Sequence, residues 1–121
     1  FKVVCFIAPT TTDQRVSLIT QKAQGFLYYI SVVGITGIRD KLPDDIIQNI
    51  NKLKQMTNIP VAVGFGVSTS EHAKLIGTVA DGVIVGSAIM REIEKYAKEP
   101  SEELVRGVGE FVGQLISGAK G

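Results

Sequence analysis

The sequence predicts an α/β fold built on a parallel sheet. Three observations carry that expectation. Short β-branched and aromatic runs alternate with longer segments of helical period, each run closes on Gly, Pro, Ser or Thr, and the pattern repeats four times in 121 residues. About 30 residues per repeat is the length of a βα unit. The strand runs are apolar on both faces and need cover on both sides, as in a barrel or a doubly wound sheet. Composition does not choose between those two. With no linker or low-complexity segment to divide it, the chain reads as one domain, 1–121.

The first strand run, residues 1–7, stops at Ala8-Pro9. Thr11-Thr12-Asp13-Gln14 then offers a Thr with Gln three residues on, the spacing of a capping box. The helix it opens carries Val16, Ile19 and Ala23 on one face and ends by Gly25. The second run, residues 26–31, leads into a glycine-containing connector and a polar stretch at 38–41. Pro43, Asp44 and Asp45 suit a first helical turn, where a missing N–H costs little and carboxylates meet the positive end of the dipole. Ile46, Ile50 and Leu53 form that helix's buried stripe. A third unit runs from the strand at 61–66 through a second capping box, Ser68-Thr69-Ser70-Glu71, to a helix with Ala73, Leu75 and Ile76. The fourth has a strand at 82–85, Gly86-Ser87, a short helix over 88–96, and a last helix after Pro100-Ser101. Leu104, Val108, Phe111 and Leu115 recur there at helical spacing.

Composition excludes several classes of function. Thirteen basic side chains against twelve acidic ones leave a formal charge of +1, with no Lys/Arg block to bind a nucleic-acid backbone. No apolar run approaches the roughly 20 residues a membrane helix needs. One cysteine, Cys5, and one histidine, His72, cannot make an internal disulfide or a Cys/His zinc site, so a metal-free cytoplasmic domain is expected. The chain opens on Phe1, inside an apolar run and without a charged leader, and reads as part of something longer.

In either architecture ligands bind beyond the C-terminal ends of the strands. Three of the four strand ends carry glycines: Gly34 and Gly37, then Gly64 and Gly66, then Gly86 before Ser87 and a helix start. Glycine lets a backbone N–H approach an anion with no Cβ in the way, and a helix start adds unpaired N–H groups. Singly, such glycines serve turns and caps. Together, with Gly-Ser before an extra helix in the last unit, they match the phosphate cup that barrels build after their last two strands.

Other residues admit plainer readings. His72 sits in a solvated helix start, and Cys5 fills core with no histidine beside it to activate it. Tyr28 and Tyr29 face opposite sides of the sheet by the two-residue period. Phe65, between two glycines, is either a core plug or an apolar wall for an aromatic ligand. Asp44, Asp45, Glu102 and Glu103 are helix-start charges, Glu92, Glu94 and Glu99 lie in a polar helical stretch, and Asp81 precedes its strand at the wrong end. None is placed as an acid or base at a catalytic rim.

At this point the residues resemble a known family, the tryptophan synthase α subunits, in their C-terminal half. The matching segments are Ile7-Ala8-Pro9-Thr10-Thr11, Tyr28-Tyr29-Ile30-Ser31 continuing to Gly34-Ile35-Thr36-Gly37, Pro60-Val61-Ala62-Val63-Gly64-Phe65-Gly66-Val67-Ser68, and Asp81-Gly82-Val83-Ile84-Val85-Gly86-Ser87-Ala88-Ile89. Their order and spacing cover nearly the whole chain. The resemblance implies four βα units forming the C-terminal half of a (β/α)8 TIM barrel. It implies a lyase that splits indole-3-glycerol phosphate by a retro-aldol reaction into indole and glyceraldehyde 3-phosphate, in tryptophan biosynthesis. Indole passes to a β subunit, to which the pyridoxal phosphate belongs; no cofactor is implied for this chain.

Carried over residue by residue, the resemblance sets the substrate phosphate against Gly37, Gly66, Gly86 and Ser87, and Phe65 and Ile84 near the substrate. Tyr28 corresponds to an active-site tyrosine. Thr36 corresponds to a loop threonine that contacts a catalytic aspartate, with residues 34–42 as a mobile lid. The family's acid–base pair, a glutamate on the second strand and an aspartate in the following loop, lies in the first half of the barrel. This chain alone is therefore expected to be inactive, and to belong to a longer chain of about 250 residues. If it stands alone, its open strand edges are expected to seek the missing N-terminal half or a second copy of itself. A non-catalytic, flavodoxin-like phosphate- or nucleotide-binding module, and a purely protein-binding role toward the β subunit, are the other readings.

Overall fold

The computed structural model describes residues 1–31, 42–64 and 66–121. Among the described residues nine elements follow in chain order: β1 (Cys5–Ile7), α1 (Asp13–Lys22), β2 (Leu27–Ile30), α2 (Asp44–Met56), β3 (Val61–Gly64), α3 (Ser70–Gly77), β4 (Gly82–Ile84), α4 (Ser87–Lys95) and α5 (Ser101–Lys120). The four strands are parallel and lie side by side in the order β1-β2-β3-β4. A doubly wound sheet reverses its strand order at a switch point. No reversal occurs among these strands, so the flavodoxin-like alternative does not fit and the order is that of a barrel segment.

Register settles which side chains share a face. Ile7, Tyr29, Val63 and Val83 form one cross-strand row, and Cys5, Leu27 and Val61 another on the same face. Leu27, Val61 and Val63 are fully buried there, in one core with Val16 of α1, Ile46, Ile50 and Leu53 of α2, Ala73 and Ile76 of α3, and Leu115 of α5. The helices thus pack on this face. The opposite face carries Phe6, Tyr28, Ala62 and Gly82 in one row and Ile30, Gly64 and Ile84 in the next. Phe6 is 56% exposed and the other six are half-buried. In a closed barrel this second face points inward.

Local chemistry departs from expectation in three places. The first strand is only Cys5–Ile7, because its pairing begins opposite Leu27; Phe1 and Val3 lie exposed ahead of it. Thr11 does not cap α1: its hydroxyl instead accepts the Ala8 N–H at 3.0 Å, and Thr12 is the N-cap without a side-chain bond. The second box shifts by one residue, with Thr69 rather than Ser68 capping α3 by accepting the His72 N–H at 3.2 Å. The α2 stripe of Ile46, Ile50 and Leu53 is buried as its spacing requires.

At the N-terminal end of the sheet, Asp81 ties three elements together. Its carboxylate accepts from Lys54 Nζ of α2 at 2.7 Å and from the Val61 N–H of β3 at 2.9 Å. The lysine first and the amide second hold its carboxyl below the usual range. Asp81 is a structural clamp at the end of the strands remote from the glycines.

Candidate active site

Beyond the C-terminal ends of the strands, two of the predicted phosphate loops fall within the described residues. Gly64 pairs with Ile84 across β3 and β4, so Gly66 and Gly86 each lie two residues beyond a paired position on neighbouring strands. Adjacent strands run about 4.8 Å apart, which makes the two loops immediate neighbours. Gly66 is exposed with φ +64°, a conformation that suits glycine, and a Cβ there would meet nothing within 4 Å. Gly86 is likewise open. Gly37 and Thr36 lie outside the described residues, as do Phe65 and most of the segment 34–42 assigned to the lid.

Helix starts differ in a way that bears on anion binding. α1, α2, α3 and α5 each carry an acidic residue in the first turn: Asp13, Asp44 and Asp45, Glu71, and Glu102 and Glu103. These carboxylates answer the partial positive charge of their own helix ends. Glu71 shows the effect, its carboxyl held below the usual range first by the backbone N–H of its own turn and then by the Thr69 and Ser70 hydroxyls. α4 is different. It starts after Gly86 and has no acid in its first turn; like α1, α2 and α5 it receives no side-chain cap. The Gly86 carbonyl accepts from Ile89 and Met90, and the Ser87 and Ala88 amides have no acceptor within the helix; Ser87 is exposed and Ala88 buried. The Ser87 side chain adds a hydroxyl at the same exposed turn.

On the inner face, Tyr28 stands in the row with Phe6, the ring centroids 5.1 Å apart and the planes tilted at 42°. The ring leans over Gly64. A Cβ on that glycine would lie 2.5 Å from the Tyr28 hydroxyl oxygen. Ile84 is half-buried at the tip of β4, in the row with Gly64 and Ile30. The sheet thus places Tyr28 and Ile84 on one face, with Gly66, Gly86 and Ser87 beyond its C-terminal end. Tyr29, on the other face, is 2% exposed; burial pushes its phenol up, the Asn49 hydrogen bond offsets part of that, and the Asp45 carboxylate adds to it. The two tyrosines do face opposite sides.

Sequence reasoning passed over Phe6 and the role of Gly64. Phe6 alternates with buried Ile7, a legible sign that it faces the other side, but its contact with Tyr28 depends on the register. No group of three or more His, Cys, Asp or Glu among the described residues is arranged to hold a metal ion. No helix among them is long and apolar enough to cross a membrane.

Comparison with known proteins now adds to this geometry. The family model described as "Tryptophan synthase alpha chain" matches residues 1–119. A tryptophan synthase alpha chain of Chloroflexus aurantiacus is 41% identical over 115 residues, 95% of this chain and 42% of that protein. One from Methanocaldococcus jannaschii is 44% identical over 97 residues, 80% of this chain and 34% of that one. Among solved structures, tryptophan synthase subunit alpha from Legionella pneumophila superposes with a TM-score of 0.80 at 28% identity, over 99% of this chain and 43% of its own. The chain therefore spans about two fifths of the length of these relatives. The sequential parallel sheet, the glycine-tipped strand ends and a match running from end to end agree: the chain belongs to the tryptophan synthase alpha chain family, and its four βα units are a part of that family's barrel.

Proposed function

We propose that this chain supplies the phosphate-binding side of a lyase that cleaves indole-3-glycerol phosphate to indole and glyceraldehyde 3-phosphate in tryptophan biosynthesis. The observation that carries the reading is the start of α4, uncapped and free of acid, beside the open Gly66 turn on the neighbouring strand. Amides of Gly66, Gly86 and Ser87 anchor the phosphate, joined by Gly37 from the preceding loop. Anchoring a remote dianion fixes the reacting end of the substrate, which converts binding energy into orientation. Tyr28 and Ile84 then wall the indole ring; by resemblance, Phe65 stands near the substrate and Thr36 contacts a catalytic aspartate of the remaining barrel.

The reaction breaks the carbon–carbon bond between the indole ring and the glycerol chain. The ring carbon gains a proton, and the glycerol hydroxyl loses one as its carbon becomes the aldehyde. Neither inner-face row of the sheet carries a carboxylate. The two proton-transfer groups therefore come from the remainder of the barrel, a glutamate and an aspartate by resemblance. Losing one such group typically costs about 10²–10⁴ in rate, so this chain without them turns nothing over. The open inner face and the outer edges of β1 and β4 fit four further strands, from a complementary N-terminal half or from a second copy. Indole then passes to a β subunit that holds pyridoxal phosphate, no cofactor being needed here, and the assembled protein is cytoplasmic.

Titration with indole-3-glycerol phosphate tests the reading. Saturable binding that inorganic phosphate displaces, with indole released only when the N-terminal half of a relative is added, is expected. Binding indifferent to phosphate refutes it.

A further inference from the structure

A cavity of about 90 Å³ lies behind the sheet, on the helix side, between the end of β1, α1 and α2. Ile7, Val16, Leu53 and Tyr29 line it, together with the polar residues Thr11 and Asn49. Asp13 and Lys52 stand at its solvent edge, with Lys52 Nζ 2.6 and 2.7 Å from the two carboxylate oxygens. Because Tyr28 and Tyr29 face opposite sides of β2, the sheet separates this space from the face that carries Tyr28 and Ile84.

We propose that this cavity is a binding site for a small neutral molecule of about four non-hydrogen atoms, carrying one hydroxyl or carbonyl oxygen on an aliphatic body. Size sets the first limit: a cavity of about 150 Å³ takes benzene, so this one takes a smaller guest. The aliphatic body meets Ile7, Val16 and Leu53. The Thr11 hydroxyl accepts the Ala8 N–H at 3.0 Å, which fixes its oxygen and leaves its own proton to donate. The Asn49 amide already bonds the Tyr29 phenol through one N–H and has a second to offer. Charge sets the last limit. Asp13 and Lys52 neutralise each other at the edge, so an ion of either sign gains no net attraction and must compete with that pair. A lone apolar guest would leave the Thr11 and Asn49 donors facing a hydrocarbon.

The probe is 2-propanol, titrated into the full chain with methyl resonances as the readout. Saturable shifts at Ile7, Val16 and Leu53 with one common midpoint are expected, while Ile30 and Ile84 on the inner face show no saturation. Ala8→Leu fills the space from the loop, and Val16→Ile fills it by one methylene, the milder change if the first does not fold. Either weakens the midpoint by about tenfold or more, the usual effect of one methylene too many in a fitted pocket. Shifts that rise linearly without saturating, or a Val16→Ile midpoint equal to that of the parent chain, would overturn the proposal.

Discussion

Gly64→Ala tests how the inner face holds Tyr28. The new Cβ would lie 2.5 Å from the Tyr28 hydroxyl oxygen, 2.8 Å from Cε2 and 3.1 Å from Cζ. Favourable carbon contacts fall at about 3.5–4.0 Å, so the ring tip must withdraw by about 1 Å. Overpacking costs about 1–3 kcal/mol, and the low end applies because the obstacle is the far end of a half-buried side chain rather than backbone. We expect about 1 kcal/mol, read as a lower urea midpoint at unchanged slope. In an assembled, active barrel the same displacement of Tyr28 lowers kcat/KM by about tenfold or more, since misplacement by 1 Å can cost 10²-fold. Repeating the substitution in a Tyr28→Ala background removes the obstacle, and the stability cost should vanish, a coupling of about 1 kcal/mol. Equal costs in both backgrounds would show that the ring does not occupy the space above Gly64.

Gly118→Ala meets backbone instead: its Cβ would lie 2.3 Å from the Ser70 carbonyl oxygen of α3, so denaturation should show a larger loss, about 2–3 kcal/mol. Asp81→Asn removes the Lys54 ion pair and weakens the bond to the Val61 amide; with both ionic side chains 40% exposed, screening holds the cost to about 1 kcal/mol. Because the Asp81 carboxyl is held low when folded, its stabilisation is complete above the ordinary carboxylate pKa and is lost as pH falls through the lowered folded value. In Asp81→Asn that part of the acid-side slope of stability against pH should be absent. Gly86→Asp separates stability from binding: the site is open to a side chain, so an aspartate can cap α4 and leave stability equal or higher by about 0.5–1 kcal/mol. Its negative charge at the same turn should weaken phosphate binding by about tenfold or more in calorimetry.

Much of the fold was legible because local patterns and tertiary packing agree. The stripe of Ile46, Ile50 and Leu53 is buried at the spacing that marked it, and Tyr28 and Tyr29 divide between faces as strand alternation requires. Long-range pairing was less accessible. Residues 1–4 have strand-like composition yet precede the stretch that pairs with β2, so the strand is short. Thr11 could reach either its helix or the Ala8 amide, and only the path of the loop decides. Asp13 meets Lys52 across 39 residues and Asp81 meets Lys54 across 27, separations with no local signal. At the site, the glycines at 66 and 86 advertised an open turn and an uncapped helix. The reach of Tyr28 over Gly64 needed the cross-strand register.

The most direct test of the account is an amide NMR titration of the chain with glycerol 3-phosphate, following Gly66, Gly86 and Ser87. The account predicts that all three resonances move together with a single midpoint, while the capped start of α3 at Glu71 and His72 stays still. Separate midpoints for the two loops, or no saturable change at Gly86 and Ser87, would contradict it.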